Sequence, residues 1–195
     1  MKKLEISYGN SKLPKHTAIF NMQSATNCES KKLGLCKCSN ICYAIKAEIQ
    51  YPSVLPYRNR QANYWQSVSA EMFVNDFRTA INKKRNPIKY LRVSESGDFK
   101  TQGDINKLSF IADLLKGIVK VYVYTARFDL DFSNISDNLV VNCSGFELPN
   151  TNSFNIKSKT DFDQLPKGAF KCIGDCNKCN LCNKKHNKTV YVKAH

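Results

Sequence analysis

The chain has 195 residues, of which 42% are hydrophobic, 11% aromatic and 24% charged, enough to bury a real core and too apolar for a disordered or collagen-like chain. Lys and Arg number 30 against 16 Asp and Glu, and the net charge of +14 points to nucleic acid or another polyanion as a partner. No stretch approaches the roughly 20 apolar residues that cross a bilayer, and the opening MKKLEISYGNSK carries no apolar signal region, so a cytoplasmic location is expected.

Nine cysteines in a reducing compartment suggest metal ligation before disulfides. Eight fall in two groups, Cys28, Cys36, Cys38 and Cys42 near the start and Cys172, Cys176, Cys179 and Cys182 near the end, with Cys143 alone between them. The middle of the chain is therefore bracketed by two thiol-rich segments. They divide a single α/β domain over 1–195 into a Cys-rich part at 1–59, a core at 60–148 and a basic Cys-rich lobe at 167–195.

In chain order, Arg60 to Lys84 has no Gly or Pro and places Phe73, Phe77 and Ile81 at helical spacing, which predicts one helix. Ile88 to Ser94 is short, β-branched and aromatic, and it predicts a strand that ends in the turn-like Glu95-Ser96-Gly97-Asp98. Thr101 and Asp104 form a T-x-x-D capping pattern ahead of Ile105, Leu108, Ile111, Ala112 and Leu115, with Gly117 closing the helix. Ile118 to Ala126 and Asn138 to Gly145 predict two more strands, and Pro149 to Pro166 reads as a polar connector.

Strand, helix and strand in succession imply a right-handed crossover and a partial parallel sheet or incomplete barrel with helices outside. Ligands gather at the C-terminal ends of such strands. Those ends here carry Glu95 to Asp98, Thr125-Ala126-Arg127 and Asn142 to Gly145, residues that also serve plain turns.

The C-terminal run is C-x3-C-x2-C-x2-C. So tight a spacing wraps a single tetrahedral zinc ion awkwardly, whereas thiols two or three residues apart can each reach an iron corner of a 4Fe-4S cluster. The sequence favours an iron-sulfur cluster on Cys172, Cys176, Cys179 and Cys182, with zinc as the alternative metal. The N-terminal C-x7-C-x-C-x3-C set is less regular: Cys28, Cys38 and Cys42 could hold three corners of a second cubane and leave its fourth iron open, or join Cys143 in one site, and the alternative is a structural zinc. Cys143, inside an apolar strand, reads as a small buried residue. Tyr57, Tyr64 and Trp65, near Arg58 and Arg60, fit core packing better than base stacking.

Several segments together resemble a phage family, gene product 88. They are SKLPKHTAIFNMQSATNC, CSNICYAIKAEIQYPSVLPYRNRQANYW, LRVSESGDF, VYVYTARF and the closing cysteine run. In that family the loop tends to read His-Ser-Gly-Asp-Phe, whereas here Ser94 and Glu95 precede Ser96-Gly97-Asp98-Phe99, and Ala126 and Arg127 replace the Lys after Tyr124-Thr125. A phage protein would act in the host cytoplasm. More distantly, Cys38-x3-Cys42-Tyr43 resembles the cysteine loop of radical S-adenosylmethionine enzymes, with Ile45 where their third cysteine stands. That resemblance implies Tyr43, Ser96, Gly97 and Asp98 as cofactor-binding residues, Asp98 and Thr125 as the residues that position substrate or cofactor, and a separate electron donor. The expectation is an iron-sulfur protein, and an enzyme of redox or radical chemistry, acting on an unknown and conceivably nucleic-acid substrate. The competing expectation is a zinc-stabilised nucleic-acid-binding module without catalysis.

Overall fold

A computed structural model describes residues 3–194. Its strands are β1 (Ser7–Tyr8), β2 (Thr17–Phe20), β3 (Tyr90–Val93), β4 (Lys120–Thr125), β5 (Leu139–Ser144), β6 (Asn152–Lys157), β7 (Phe170–Lys171) and β8 (Thr189–Lys193). Its helices are α1 (Glu29–Lys32), α2 (Tyr43–Gln50), α3 (Val54–Ser67), α4 (Ala70–Asn82), α5 (Gln102–Leu114) and α6 (Lys159–Asp163). The strands form one eight-stranded sheet in the order β1-β2-β3-β4-β5-β6-β8-β7, in which only the β1–β2 pairing is antiparallel. The mixed α/β class and the mostly parallel sheet agree with the sequence expectation.

From β2 to β8 the order of the paired strands never reverses, so successive crossovers step the same way and collect the helices on one face. That face carries the main core. Phe20, Leu91, Val93, Val121, Val123, Leu139 and Val141 pack there against Tyr64 and Trp65 of α3, Phe73 and Phe77 of α4, and Ile105, Leu108 and Ile111 of α5. Cys143 is fully buried in the same cluster. Alternation along β3 and β4 sends Arg92, Tyr122 and Tyr124 to the opposite face.

The single helix expected over Arg60 to Lys84 is two. α3 stops at Ser67, Val68 turns to φ −114° and ψ 153°, and Ser69 begins α4 by accepting a hydrogen bond from the Met72 N–H at 3.2 Å. The break lets Tyr64 and Trp65 enter the core from one direction and Phe73 and Phe77 from another. The connector expected over Pro149 to Pro166 contains β6 and α6. β6 is half-buried and mostly polar, and its pairing with β5 and β8 supplies what its own sequence lacks. α5 begins as its T-x-x-D pattern predicts, the Asp104 carboxylate accepting the Thr101 N–H at 3.1 Å and the Trp65 indole N–H at 2.7 Å. Among the described residues no helix is long and apolar enough to cross a membrane.

Candidate metal centres

The N-terminal thiols lie on the loop and short helices between β2 and α3, folded over the C-terminal ends of β3, β4 and β5. Each contact is specific. Tyr43 donates its hydroxyl to the Glu95 carbonyl at 2.6 Å, and Lys37 Nζ reaches the Gly145 carbonyl past β5 at 2.7 Å. Asn21 accepts the Ser96 N–H at 2.8 Å, and Ser96 Oγ donates to the Gln23 carbonyl at 3.1 Å.

Within this loop the Cys36 and Cys38 sulfurs are 3.4 Å apart. Either sulfur can donate in this contact, which couples the titration of the two thiols. Burial pushes Cys28 up, opposed by the Ser30 hydroxyl at 3.2 Å. Cys28 and Cys42 also act on Cys38 electrostatically, which brings the four thiols into one neighbourhood.

Asp98 and Thr125, expected to hold substrate or cofactor, stand together at the root of this loop. Asp98 is 4% exposed, and its Oδ1 accepts from Thr125 Oγ1 at 2.7 Å and the Phe99 N–H at 2.8 Å, while Oδ2 accepts the Ala126 N–H at 2.8 Å. Both carboxylate oxygens are thus engaged in joining the end of β3 to the end of β4. Burial nevertheless raises the Asp98 pKa above the ordinary carboxylate range, the hydrogen bonds offsetting it only in part. Gly97 has φ +73°, and a Cβ there would lie 2.5 Å from the Gln23 carbonyl oxygen, so its close approach serves Gln23. Ser96 and Gly97 are therefore packed against the protein's own loop. Tyr43 is 49% exposed, while its hydroxyl is held on the Glu95 carbonyl and burial raises its phenol pKa.

The C-terminal thiols gather on the sheet face opposite the helices. Cys172, Cys176, Cys179 and Cys182 line one cavity with Tyr122, Tyr124, Phe170 and Val190. Two asparagines fasten this segment to the sheet: Asn142 donates to the Cys182 carbonyl at 2.9 Å and Asn152 to the Lys184 carbonyl at 2.8 Å. Burial pushes Cys182 up to about 11 despite a hydrogen bond from Tyr124, and burial likewise raises Cys176, with Arg92 opposing it.

All nine cysteines are free thiols. Among the described residues no three or more His, Cys, Asp or Glu side chains are arranged to hold a single metal ion. The structure thus gathers each set of four thiols without showing a metal site.

Sequence reasoning missed Arg92, Tyr122 and Tyr124, which lie between the two thiol groups, and the pair Glu48 and Arg58 that shapes the N-terminal loop. The period-two alternation of YLRV and KVYVYT carries the first three, since an arginine and two tyrosines share the face that Leu91, Val93 and Val121 avoid.

The gene product 88 family model matches residues 2–163. The chain belongs to the gene product 88 family. The family match takes in the N-terminal thiols, the Asp98 loop and β2 through β6, and it ends before the C-terminal cysteine run, although that run is among the segments that suggest the resemblance. No curated protein and no solved structure matches the chain.

Proposed function

We propose that this member of the gene product 88 family is an iron-sulfur protein with redox or radical chemistry. The observation that carries the proposal is the grouping of eight cysteines in two sets of four, one over the C-terminal ends of β3 and β5 and the other lining a cavity beside Tyr122 and Tyr124. Cys172, Cys176, Cys179 and Cys182 hold a 4Fe-4S cluster. A cubane spreads its irons, so its thiolates need not meet around one point as zinc ligands must. Lining by Tyr122, Tyr124, Phe170 and Val190 gives the cluster a largely apolar wall, one of the protein's means of setting a reduction potential.

Cys28, Cys36, Cys38 and Cys42 hold the second centre. Three thiols suffice for three corners of a cubane, which leaves an iron open to a substrate or to S-adenosylmethionine. Its setting supports the assignment, because the loop lies at the C-terminal ends of parallel strands where ligands bind in such sheets. In this reading Asp98 and Thr125 are positioning residues that fix the floor under the N-terminal centre, and an electron donor acts as partner.

The test is elemental. Protein purified without oxygen should be coloured, with a broad visible absorption band, and should contain iron and acid-labile sulfide. Colourless protein with stoichiometric zinc would establish the second reading, a zinc-stabilised module for which the net charge of +14 favours nucleic acid.

A further inference from the structure

Arg92 sits in the middle of β3 on the face opposite the helices. Its Nε is buried without a partner. Its guanidinium carbon lies 5.0 Å from the centroid of the Tyr124 ring, a cation–π contact that gives Nε no hydrogen-bond acceptor. Glu95 acts on it electrostatically but directs its carboxylate to the Asn10 amide at 2.6 Å, and the Cys176 thiol also lies within its electrostatic reach.

A second buried polar atom nearby is also unpartnered. Ser94, two residues along the chain and 5% exposed, has a hydroxyl with no hydrogen-bond partner. It is held at φ 60°, where a residue with a Cβ is strained. Such strain persists where surrounding structure over-determines it, and it concentrates at binding sites. The surroundings are donor-rich. Tyr43 and Tyr122 act on the guanidinium electrostatically, and Tyr43 directly follows Cys42 of the N-terminal thiols.

A guanidinium presents five N–H donors in a planar fork that matches an oxyanion. Burying it without an acceptor is unfavourable, and an anionic ligand removes that penalty. We propose that Arg92, with Ser94 beside it, binds the carboxylate or phosphate group of a small organic anion whose body packs against the rings of Tyr43 and Tyr124. The site lies between the two thiol groups, so it names the substrate class for the chemistry proposed above, yet the binding itself stands whichever metal the thiols take.

The full chain as purified is titrated with inorganic phosphate and, separately, with acetate at constant ionic strength, reading the thermal midpoint and the binding heat. A saturable rise with at least one of the two supports the site, and which anion acts separates a phosphate ester from a carboxylate. Arg92→Met should bind that anion about tenfold more weakly or worse, and Arg92→Lys should fall between. Lys83→Met, an exposed lysine at the end of α4, should respond as the native chain does. Because the buried Arg92 Nε has no partner, Arg92→Met should not lower the midpoint without anion. A flat response to both anions, or an Arg92→Met response equal to the native one, overturns the site. Colourless protein that still binds the anion through Arg92 would retain this site and remove the iron-sulfur reading.

Discussion

Glu48 on α2 and Arg58 on α3 meet at 2.9 Å in a buried ion pair that holds both ends of the N-terminal thiol loop. Ahead of Cys28, Glu48 accepts the Ala25 N–H at 2.7 Å and the Thr26 N–H at 2.9 Å. Behind Cys42, Arg58 donates to the Ala44 carbonyl at 2.9 Å. One pair of opposite charges therefore sets the chain's entry to the cysteines and its exit.

Removing one charge strands the other inside. Glu48→Gln should lower the unfolding free energy by about 3–5 kcal/mol in urea denaturation, and metal should leave the N-terminal thiols first. The pH dependence follows from the pKa. Burial raises the Glu48 carboxyl, but hydrogen bonds from Thr26, Ala25 and Arg58 outweigh it and hold the pKa below the ordinary range. Its stabilisation is present above the unfolded value of about 4.3 and is lost as pH falls through the folded value. The gap between native and Glu48→Gln protein should close in acid.

Asp98→Ala would leave the Thr125 hydroxyl and the Ala126 and Phe99 N–H groups without their acceptor, at about 1–3 kcal/mol for each group that water cannot reach. The sign with pH is the reverse of the Glu48 case. Burial raises the Asp98 pKa, so its contribution is complete below the unfolded value of about 3.9 and declines as pH rises through the folded one. Denaturation midpoints measured from acid to neutral pH should converge for native and Asp98→Ala protein. A gap that widens instead would contradict the raised pKa.

Cysteine substitutions should divide by position. Cys176→Ser or Cys182→Ser should bleach the visible band of the C-terminal centre and lower its iron content. Cys143→Ser should leave both unchanged, because that thiol is packed in the core beside Thr151, 3.2 Å from its hydroxyl. Its effect should be a loss of about 1 kcal/mol from burying a hydroxyl. Iron lost from Cys143→Ser would make the core thiol a ligand.

Two glycines of like backbone offer an internal comparison. Gly97 at φ +73° would place a Cβ 2.5 Å from Gln23 atoms, whereas Gly117 at φ +81° has nothing within 4 Å. Gly117→Ala should cost about 1 kcal/mol from conformation alone. Gly97→Ala adds a backbone collision, should cost at least about 2 kcal/mol, and should shift the thermal midpoint further. Equal shifts would mean that the Gln23 loop yields freely.

The strands of the core were legible because their side chains carry the pattern locally. Expected strands over Ile88 to Ser94, Ile118 to Ala126 and Asn138 to Gly145 enclose β3, β4 and β5, and the Thr101 cap begins α5. β6 and β8 escaped because half-polar strands owe their form to neighbours across the ladder. The interruption at Val68 and Ser69 has no Gly or Pro to announce it, and the packing of α3 and α4 into the same core from two directions decides it. Tyr64 and Trp65 went where bulk and aromatic surface send such residues, to the interior.

The amino-acid order alone determined the family, the α/β class and the presence of two dense groups of thiols, since periodicity and spacing are local properties of a chain. Tertiary structure decided that Asp98 is bound by Thr125 and two backbone donors, that Glu48 and Arg58 shape the cysteine loop, and that the Arg92 Nε is buried between the thiol groups without an acceptor. Those relationships join residues far apart in sequence, and whether a charge is paired depends on what the fold brings within hydrogen-bond reach.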